Sequence, residues 1–350
     1  MKKIKLGCSE LQVTEVCLGS MTWGKQNSLN EALEQIDFAL DQGINFIDTA
    51  EMYPVPPDEQ TSGETERCIG EWIRANPGKR DEVVIATKIV GAGLPWIRSG
   101  SPISGQRIKE AVEGSLKRLN TDCIDLYQLH WPNRVSPHFA RHWPGMVPHT
   151  QVDRARQEAE MVDILQGLDD CIKAGKIRYC GLSDDTPWGI GEYVRLSEKY
   201  DLPRMVSIQN EFSLIHAKDS PYVLESCVLN DVAYLPWSPL GGGVLSGKYR
   251  NGQIPSGSRW SFQQRNGLFR NTPVTHRAIE DYHGVAKRHG LSLAQMALAW
   301  VYQTEGVTST IIGASSLAQL KENIDAYQLK LSKEVLGEIN AVFRQYPVPF

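Results

Sequence analysis

Ile124-Asp125-Leu126-Tyr127-Gln128-Leu129-His130 is an apolar run that finishes on an imidazole. Two earlier runs finish in the same manner, Ile44-Asn45-Phe46-Ile47 on Asp48 and Val83-Val84-Ile85-Ala86-Thr87 on Lys88. A buried strand has no packing reason to end on an acid, an ammonium or an imidazole, because each is costly to bury without a partner. Tyr53 lies one short loop past Asp48. An acid, a base, an imidazole and a phenol can therefore meet at one end of a parallel sheet, the end at which barrels carry their chemistry.

Eight short apolar runs alternate with amphipathic stretches: Val16–Gly19, Ile44–Asp48, Val83–Lys88, Ile124–His130, Tyr179–Ser183, Met205–Gln209, Val232–Trp237 and Thr310–Gly313. Helical spacing of apolar residues predicts helices between them. Ala32, Leu33, Ile36, Ala39 and Leu40 form one stripe, ahead of a C-terminal Gly43; Ile108, Ala111, Val112, Ser115, Leu116 and Leu119 form another. The fourth helix is predicted over 161–174. Eight βα units point to α/β architecture and a closed (β/α)8 TIM barrel. The rival, an open doubly wound sheet, usually carries G-x-G-x-x-G after its first strand when it binds dinucleotides, and Gly19-Ser20-Met21-Thr22-Trp23-Gly24 lacks that fingerprint.

Lys3–Leu6 and Gln12–Val16 flank Gly7-Cys8-Ser9-Glu10, an N-terminal β-hairpin signal that could plug the far end of the barrel. Long loops are predicted at 133–158 and 239–274, after the fourth and seventh strands, with extra helices at 275–289 and 333–343. No linker suggests a boundary, so 1–350 is read as a single domain.

Hydrophobic residues make up 41% of the 350-residue chain and charged residues 22%, enough for a large core. The net charge of −4 gives no electrostatic reason to expect nucleic acid or an anionic membrane. Seven cysteines are scattered without a C-x-x-C pair, and Cys17, Cys123 and Cys180 fall in apolar runs, which reads as reduced thiols in a cytoplasmic protein. No signal peptide or unbroken membrane-length segment is visible. Oligomeric state leaves no trace in the sequence.

Taken singly, Asp48 reads as a turn cap, Lys88 as a solvated surface charge and His130 as a core imidazole. Together they suit carbonyl reduction. Hydride attack on a carbonyl carbon builds negative charge on oxygen, which needs a proton; a tyrosine can supply it, although its ordinary pKa is about 10. An ammonium beside the phenol is expected to lower that pKa, Asp48 to keep Lys88 charged and aimed, and His130 to donate to the carbonyl oxygen. Ser183, Asp184 and Gln209 end the fifth and sixth strands, where short polar groups can bond a carboxamide or merely cap. Trp237-Ser238-Pro239-Leu240-Gly241-Gly242-Gly243, followed by Lys248 and Arg259, allows backbone and cations to approach a pyrophosphate, and reads equally as a plain flexible loop. Gly313-Ala314-Ser315-Ser316 opens a helix carrying Gln319, Glu322 and Asn323, after the strand where barrels often bind phosphate.

These residues resemble the aldo-keto reductase family. The likeness lies in Asp48-x4-Tyr53, Ala86-Thr87-Lys88 and Leu129-His130-Trp131-Pro132, and continues through Gly181-Leu182-Ser183, Gln209-Asn210, Trp237-Ser238-Pro239-Leu240, Gly247-Lys248-Tyr249 and Ile312-Gly313-Ala314-Ser315 to Glu322-Asn323. Glu51-Met52-Tyr53-Pro54-Val55-Pro56-Pro57 looks most like its Tas-like bacterial branch. The resemblance implies an NADPH-dependent reductase of aldehydes or ketones, with NADH a less favoured cofactor and Tyr53 as general acid. It implies that Ser183, Asp184, Gln209 and Trp237 meet the nicotinamide, joined by Ser20, Met21 and Asp48. Ser238, Pro239, Leu240, Gly241, Gly243 and Lys248 would meet the pyrophosphate; Arg259, Gly313, Ser315, Gln319, Glu322 and Asn323 the adenosine end, Arg259 and Ser315 beside a 2′-phosphate. Trp23, Trp96, Trp131, Tyr53 and His130 would face the carbonyl substrate.

One departure stands out: the family usually has Asn where this chain has Asp184. An ionised Asp cannot donate to a carboxamide oxygen, and its charge is expected to favour the oxidised, positively charged nicotinamide. Two other functions compete. Potassium-channel beta subunits keep this fold as cofactor-binding regulatory partners, and a sensor of that kind would turn over very slowly. A metal-dependent hydrolase would draw on His138, His142 and His149, but the prolines around them argue against a helix holding a metal, and no metal is expected.

Overall fold

Neighbouring side chains on a strand point to opposite faces, and this parity decides what enters the middle of the molecule. In the computed structural model, which describes residues 1–262 and 268–350, an antiparallel hairpin of β1 (Lys3–Lys5) and β2 (Gln12–Thr14) precedes eight parallel strands. These are β3 (Val16–Gly19), β4 (Phe46–Asp48), β5 (Val84–Ile89), β6 (Ile124–Leu129), β7 (Ile177–Ser183), β8 (Met205–Glu211), β9 (Ala233–Trp237) and β10 (Thr310–Ile312). They neighbour one another in chain order, with β10 beside β3. A parallel bridge between Tyr234 and Val307 closes the ring, and the Thr308 N–H donates to the Tyr234 carbonyl at 2.9 Å. The (β/α)8 barrel read from the sequence is the fold.

Helices follow the strands: α1 (Leu29–Asp41), α2 (Glu64–Ala75), α3 (Gly105–Leu119), α4 (Arg154–Lys173), α5 (Pro187–Tyr200) and α6 (Tyr222–Leu229). Two helices, α7 (Pro273–Arg288) and α8 (Leu293–Tyr302), lie between β9 and β10; α9 (Leu317–Asp325) and α10 (Lys333–Gln345) follow β10. All but α2 and α6 start on a side-chain cap. Ser28 and Glu31 form a reciprocal capping box on α1, and Asp153 accepts from Arg156 N at 3.1 Å on α4. That cap starts α4 at Arg154 rather than the predicted Met161, because its first two turns are polar and exposed and show no apolar stripe. The stretch after β9 is also more ordered than a plain loop. It contains 3-10 turns at Gly241–Ser246 and Arg259–Phe262, and the span 239–274 ends on the first two residues of α7; residues 263–267 lie outside the described residues.

Inside the barrel the lower layer is apolar: Cys17, Phe46, Val84, Ala86, Leu126, Val206, Ala233, Leu235 and Ile311. Leu6, Leu11 and Val13 of the hairpin pack against this layer and plug the end opposite the polar strand ends. The same parity continues upward. Asp48 shares its face with Phe46, Lys88 with Ala86, Gln128 with Leu126, so the upper layer is polar and sits on a dry floor.

The hairpin turn is pressed hard into the barrel bottom. Gly7 has φ +55°, and a Cβ there would fall 2.2 Å from the Val206 carbonyl oxygen and 2.6 Å from that of Asp231. Gly175 has φ +71° with open space around it. Gly7→Ala is therefore expected to lose about 2–4 kcal/mol of unfolding free energy from backbone strain plus overpacking, and Gly175→Ala only about 1–2 from the backbone alone. Urea unfolding of both variants checks this; equal losses would remove the plug from the account.

Candidate active site

Lys88 is the centre of the polar layer. Its ammonium is fully buried and donates to Asp48 Oδ2 and to the Thr49 carbonyl, each at 2.7 Å. Asp48 Oδ1 accepts from Gln209 Nε2 at 2.9 Å and Gln128 Nε2 at 3.2 Å. The carboxylate is thus held from both sides by β5, β6 and β8. Gln128 was missed as a functional position in the sequence, although an amide at an inward-facing position of an apolar strand was the available signal.

Tyr53 sits at the end of a tight turn after β4, its N–H donating to Ala50 O at 3.1 Å and its carbonyl accepting from Gly63 N at 2.9 Å. Its ring lies 5.0 Å from Lys88 Nζ and meets the His130 ring edge-on at 5.6 Å. Asp48, Tyr53, Lys88 and His130 are brought together as the strand ends suggested. The expected sign of the Tyr53 shift is corrected: burial of the phenol outweighs the charge and hydrogen bond of Lys88, and its pKa lies above the ordinary value. Burial also opposes the charge on Lys88, but the charge and hydrogen bond of Asp48 lead the effects that outweigh it, and the ammonium is held above its usual range. For His130, burial and then Lys88 push the ring well down, so the imidazole is neutral. Its Nδ1 is buried without a hydrogen-bond partner among the described residues. The site thus pairs a protonated phenol with a neutral imidazole beside a fixed cation.

Around this group, Ser183 Oγ donates to Gln209 O at 2.8 Å, and Asp184 Oδ1 accepts from the Trp237 indole at 3.2 Å. Ser20, fully buried, donates through N–H and Oγ to the Asp48 carbonyl at 3.1 and 2.9 Å. Phe139, from the loop after β6, stacks on Trp237 with ring centroids 5.8 Å apart. Neither Phe139 nor its neighbour His138 was singled out for this role, since loop residues carry no periodicity to mark them.

Ser238, Gly241, Gly242 and Gly243 all have positive φ, which carries the chain past Pro239 and Leu240 in a tight turn. A Cβ at Gly243 would lie 3.0 Å from Lys248 Nζ; one at Gly242 would lie 3.5 Å from an Arg270 nitrogen and 3.7 Å from Arg259. Bare backbone is therefore flanked by cations. Burial, and then Arg270, bring the Arg259 pKa down to about 10; burial and Arg259 lower that of Lys248. This crowding of like charge favours an anion. Arg259 donates to Met21 Sδ at 3.3 Å and belongs to this glycine turn.

On the other side of the mouth Ser315 donates through N–H and Oγ to Gln319 Oε1, at 3.1 and 3.0 Å, and Ser316 caps α9. Asn323 donates to Gly313 O at 3.2 Å, and Glu322 accepts from Ser292 at 2.9 Å. Asn27 reaches the Ser315 carbonyl at 3.0 Å and ties the first loop to the eighth.

Of the expected aromatic walls, Trp131 stands beside His130, with ring centroids 5.0 Å apart, and joins Met21, Val55, Val90, Leu94 and Ile97 in an apolar cluster with Tyr53. Trp96, partly buried, donates to Ser62 Oγ at 3.0 Å. Trp23 is a correction. It is fully buried, its indole donating to Gln35 at 3.1 Å, and it packs among the helix-facing core residues rather than against the mouth. His138 and His142 turn to the carbonyls of Asp185 and Phe350, at 3.2 and 3.0 Å.

The model of the Aldo/keto reductase family matches residues 15–344. The protein named tas from Escherichia coli strain K12 is 42% identical over 344 residues, covering 97% of each chain. An uncharacterized oxidoreductase, YrpG, of Bacillus subtilis is 30% identical over 98% of this chain and 96% of its own. A probable voltage-gated potassium channel subunit beta of Oryza sativa is 29% identical over 99% of this chain and 98% of its own. A match running from the first barrel strand into the last helix, together with identity sustained over almost the whole of these relatives, places the chain in the aldo/keto reductase family, a family of oxidoreductases.

Proposed function

We propose that this chain reduces a small aldehyde or ketone to the alcohol, with NADPH as cofactor and Tyr53 as proton donor. The observation that supports it most directly is the meeting of a protonated phenol, a neutral imidazole and a buried ammonium at one strand end of the barrel. The residues present fit a dinucleotide. Bare glycine backbone beside Lys248 and Arg259 suits a pyrophosphate, Ser315 at the start of α9 suits a phosphate, and Ser183, Asp184 and Gln209 offer short polar contacts to a carboxamide. When bound, the reduced nicotinamide supplies hydride to the carbonyl carbon.

The chain's own residues handle the oxygen. His130 offers an N–H that orients the carbonyl and shares the charge growing on it. Tyr53 gives its proton to that oxygen as the charge develops, and Lys88 stabilises the phenolate left behind. Asp48, held by Gln128 and Gln209, keeps the ammonium aimed. The apolar cluster around Trp131 excludes water and favours a substrate with an apolar body. Free thiols throughout support a reducing, cytoplasmic setting; among the described residues no helix is long and apolar enough to cross a membrane.

The likeness to a potassium channel beta subunit supports a second reading, a cofactor-holding regulatory subunit with little turnover. Screening NADPH oxidation over aromatic, aliphatic and dicarbonyl substrates separates the two, because a reductase completes many turnovers and a sensor does not. Tyr53→Phe is expected to lower kcat by about 10²–10⁴ while NADPH affinity stays near native; native kcat in this variant would remove Tyr53 as the acid. Arg259→Ala is expected to raise the KM for NADPH by about 10- to 100-fold, the worth of one charge-assisted contact, with a much smaller change for NADH. Equal effects on the two would withdraw Arg259 from the 2′-phosphate.

A further inference from the structure

Asp184 follows Ser183 at the top of β7 and is buried to 1% exposure, with φ 51°. Its Oδ1 accepts from Trp237 Nε1 at 3.2 Å and faces His138 Nδ1 at 3.6 Å. His138 is itself 4% exposed, and its Nε2 lies 3.2 Å from the Asp185 carbonyl oxygen. A carbonyl can only accept, so Nε2 carries the hydrogen of a neutral ring, and Nδ1 presents a lone pair. That Nδ1 has no hydrogen-bond partner among the described residues. A lone pair set against a carboxylate oxygen in a dry pocket is repulsive unless a proton stands between them.

We infer that Asp184 and His138 hold one proton between them, and that losing it turns the pocket from the neutral reduced nicotinamide toward the positively charged oxidised one. This rests on the reading of the barrel mouth as a nicotinamide site. With the proton in place the carboxyl is neutral, and Asp184 Oδ2 is an acceptor for an amide, as the oxygen of an asparagine is. Without it, a negative charge stands in the ring's pocket.

The surroundings put the proton on the carboxyl. Burial is the largest influence on Asp184; Glu211 at the end of β8 and Asp219 beyond it add repulsion, against the Trp237 hydrogen bond and Lys88, and the carboxyl lies well above the usual range. On His138, burial, then Lys218, and also His216 oppose a charge, against the Asp185 carbonyl and Glu211, bringing the ring down to about 3. Lys218 donates to the Pro137 carbonyl at 2.7 Å, and Glu211 is paired with Arg270. Because the carboxyl is raised, it is neutral at low pH and ionises as pH rises through its shifted value.

The test is the ratio of dissociation constants of NADPH and NADP⁺, measured by quenching of intrinsic fluorescence between pH 6 and 9. Titration of the phosphates common to both forms cancels in this ratio. The native ratio is expected to rise with pH, by at most about tenfold per pH unit for one proton. Asp184→Asn is expected to flatten the curve, and His138→Gln, whose amide donates to a carboxylate, to move its midpoint to lower pH. A flat native ratio with both forms bound, or a ratio in Asp184→Asn that tracks the native one, overturns this inference alone. An unmoved midpoint in His138→Gln removes the shared proton. Binding of neither form overturns the nicotinamide reading and this inference with it.

Discussion

A lysine ammonium with no exposure to solvent is the constraint around which the upper barrel is arranged. Burying a charge is expensive, and deleting one partner of a buried pair generally costs about 3–5 kcal/mol. Lys88 is tolerated because Asp48 and the Thr49 carbonyl take two of its three hydrogens, while Gln128 and Gln209 satisfy the other oxygen of Asp48. Four strands thus contribute to accommodating one charge. Their inward positions are fixed by the parity that also places Phe46, Ala86 and Leu126 in the dry layer below.

Burial, with this charge second, sets the state of its neighbours. Both act against a proton on His130, so the imidazole stays neutral. Tyr53 feels two opposed effects, and burial wins, so the phenol keeps its proton. A donor that is protonated at rest, with a cation ready to receive its anion, is better suited to delivering a proton than one already half ionised. The same burial that raises Tyr53 raises Asp184 across the mouth, so both pocket walls are set by desolvation as much as by charge.

Much of this was legible in the chain because strand parity is a strict code. Asp48, Lys88 and His130 ended apolar runs, and the runs themselves, spaced by helical patterns, gave the barrel. The code says nothing where packing is irregular. Trp23 resembled a pocket wall, yet its indole finds Gln35 in the core. The first two turns of α4 are polar and read as loop, since only the Asp153 cap announces them. Gln128 was visible as an amide among apolar neighbours and was passed over. His138 and Phe139 gain their place from a loop whose path no periodicity encodes. The sign of the Tyr53 shift was misread for a related reason: a sequence names the nearby charge but not how much water has been removed.

The most direct measurement concerns the ammonium itself. Lys88→Met keeps the length of the side chain and removes the charge, leaving Gln128 and Gln209 to hold Asp48. Single-turnover reduction of a carbonyl by the NADPH-loaded variant is predicted to slow by about 10²–10³ or more, with NADPH bound nearly as tightly as by the native chain. Reduction at the native rate, in a variant shown to be folded, would contradict the account, because the proton would then be reaching the carbonyl oxygen without the cation said to draw it out.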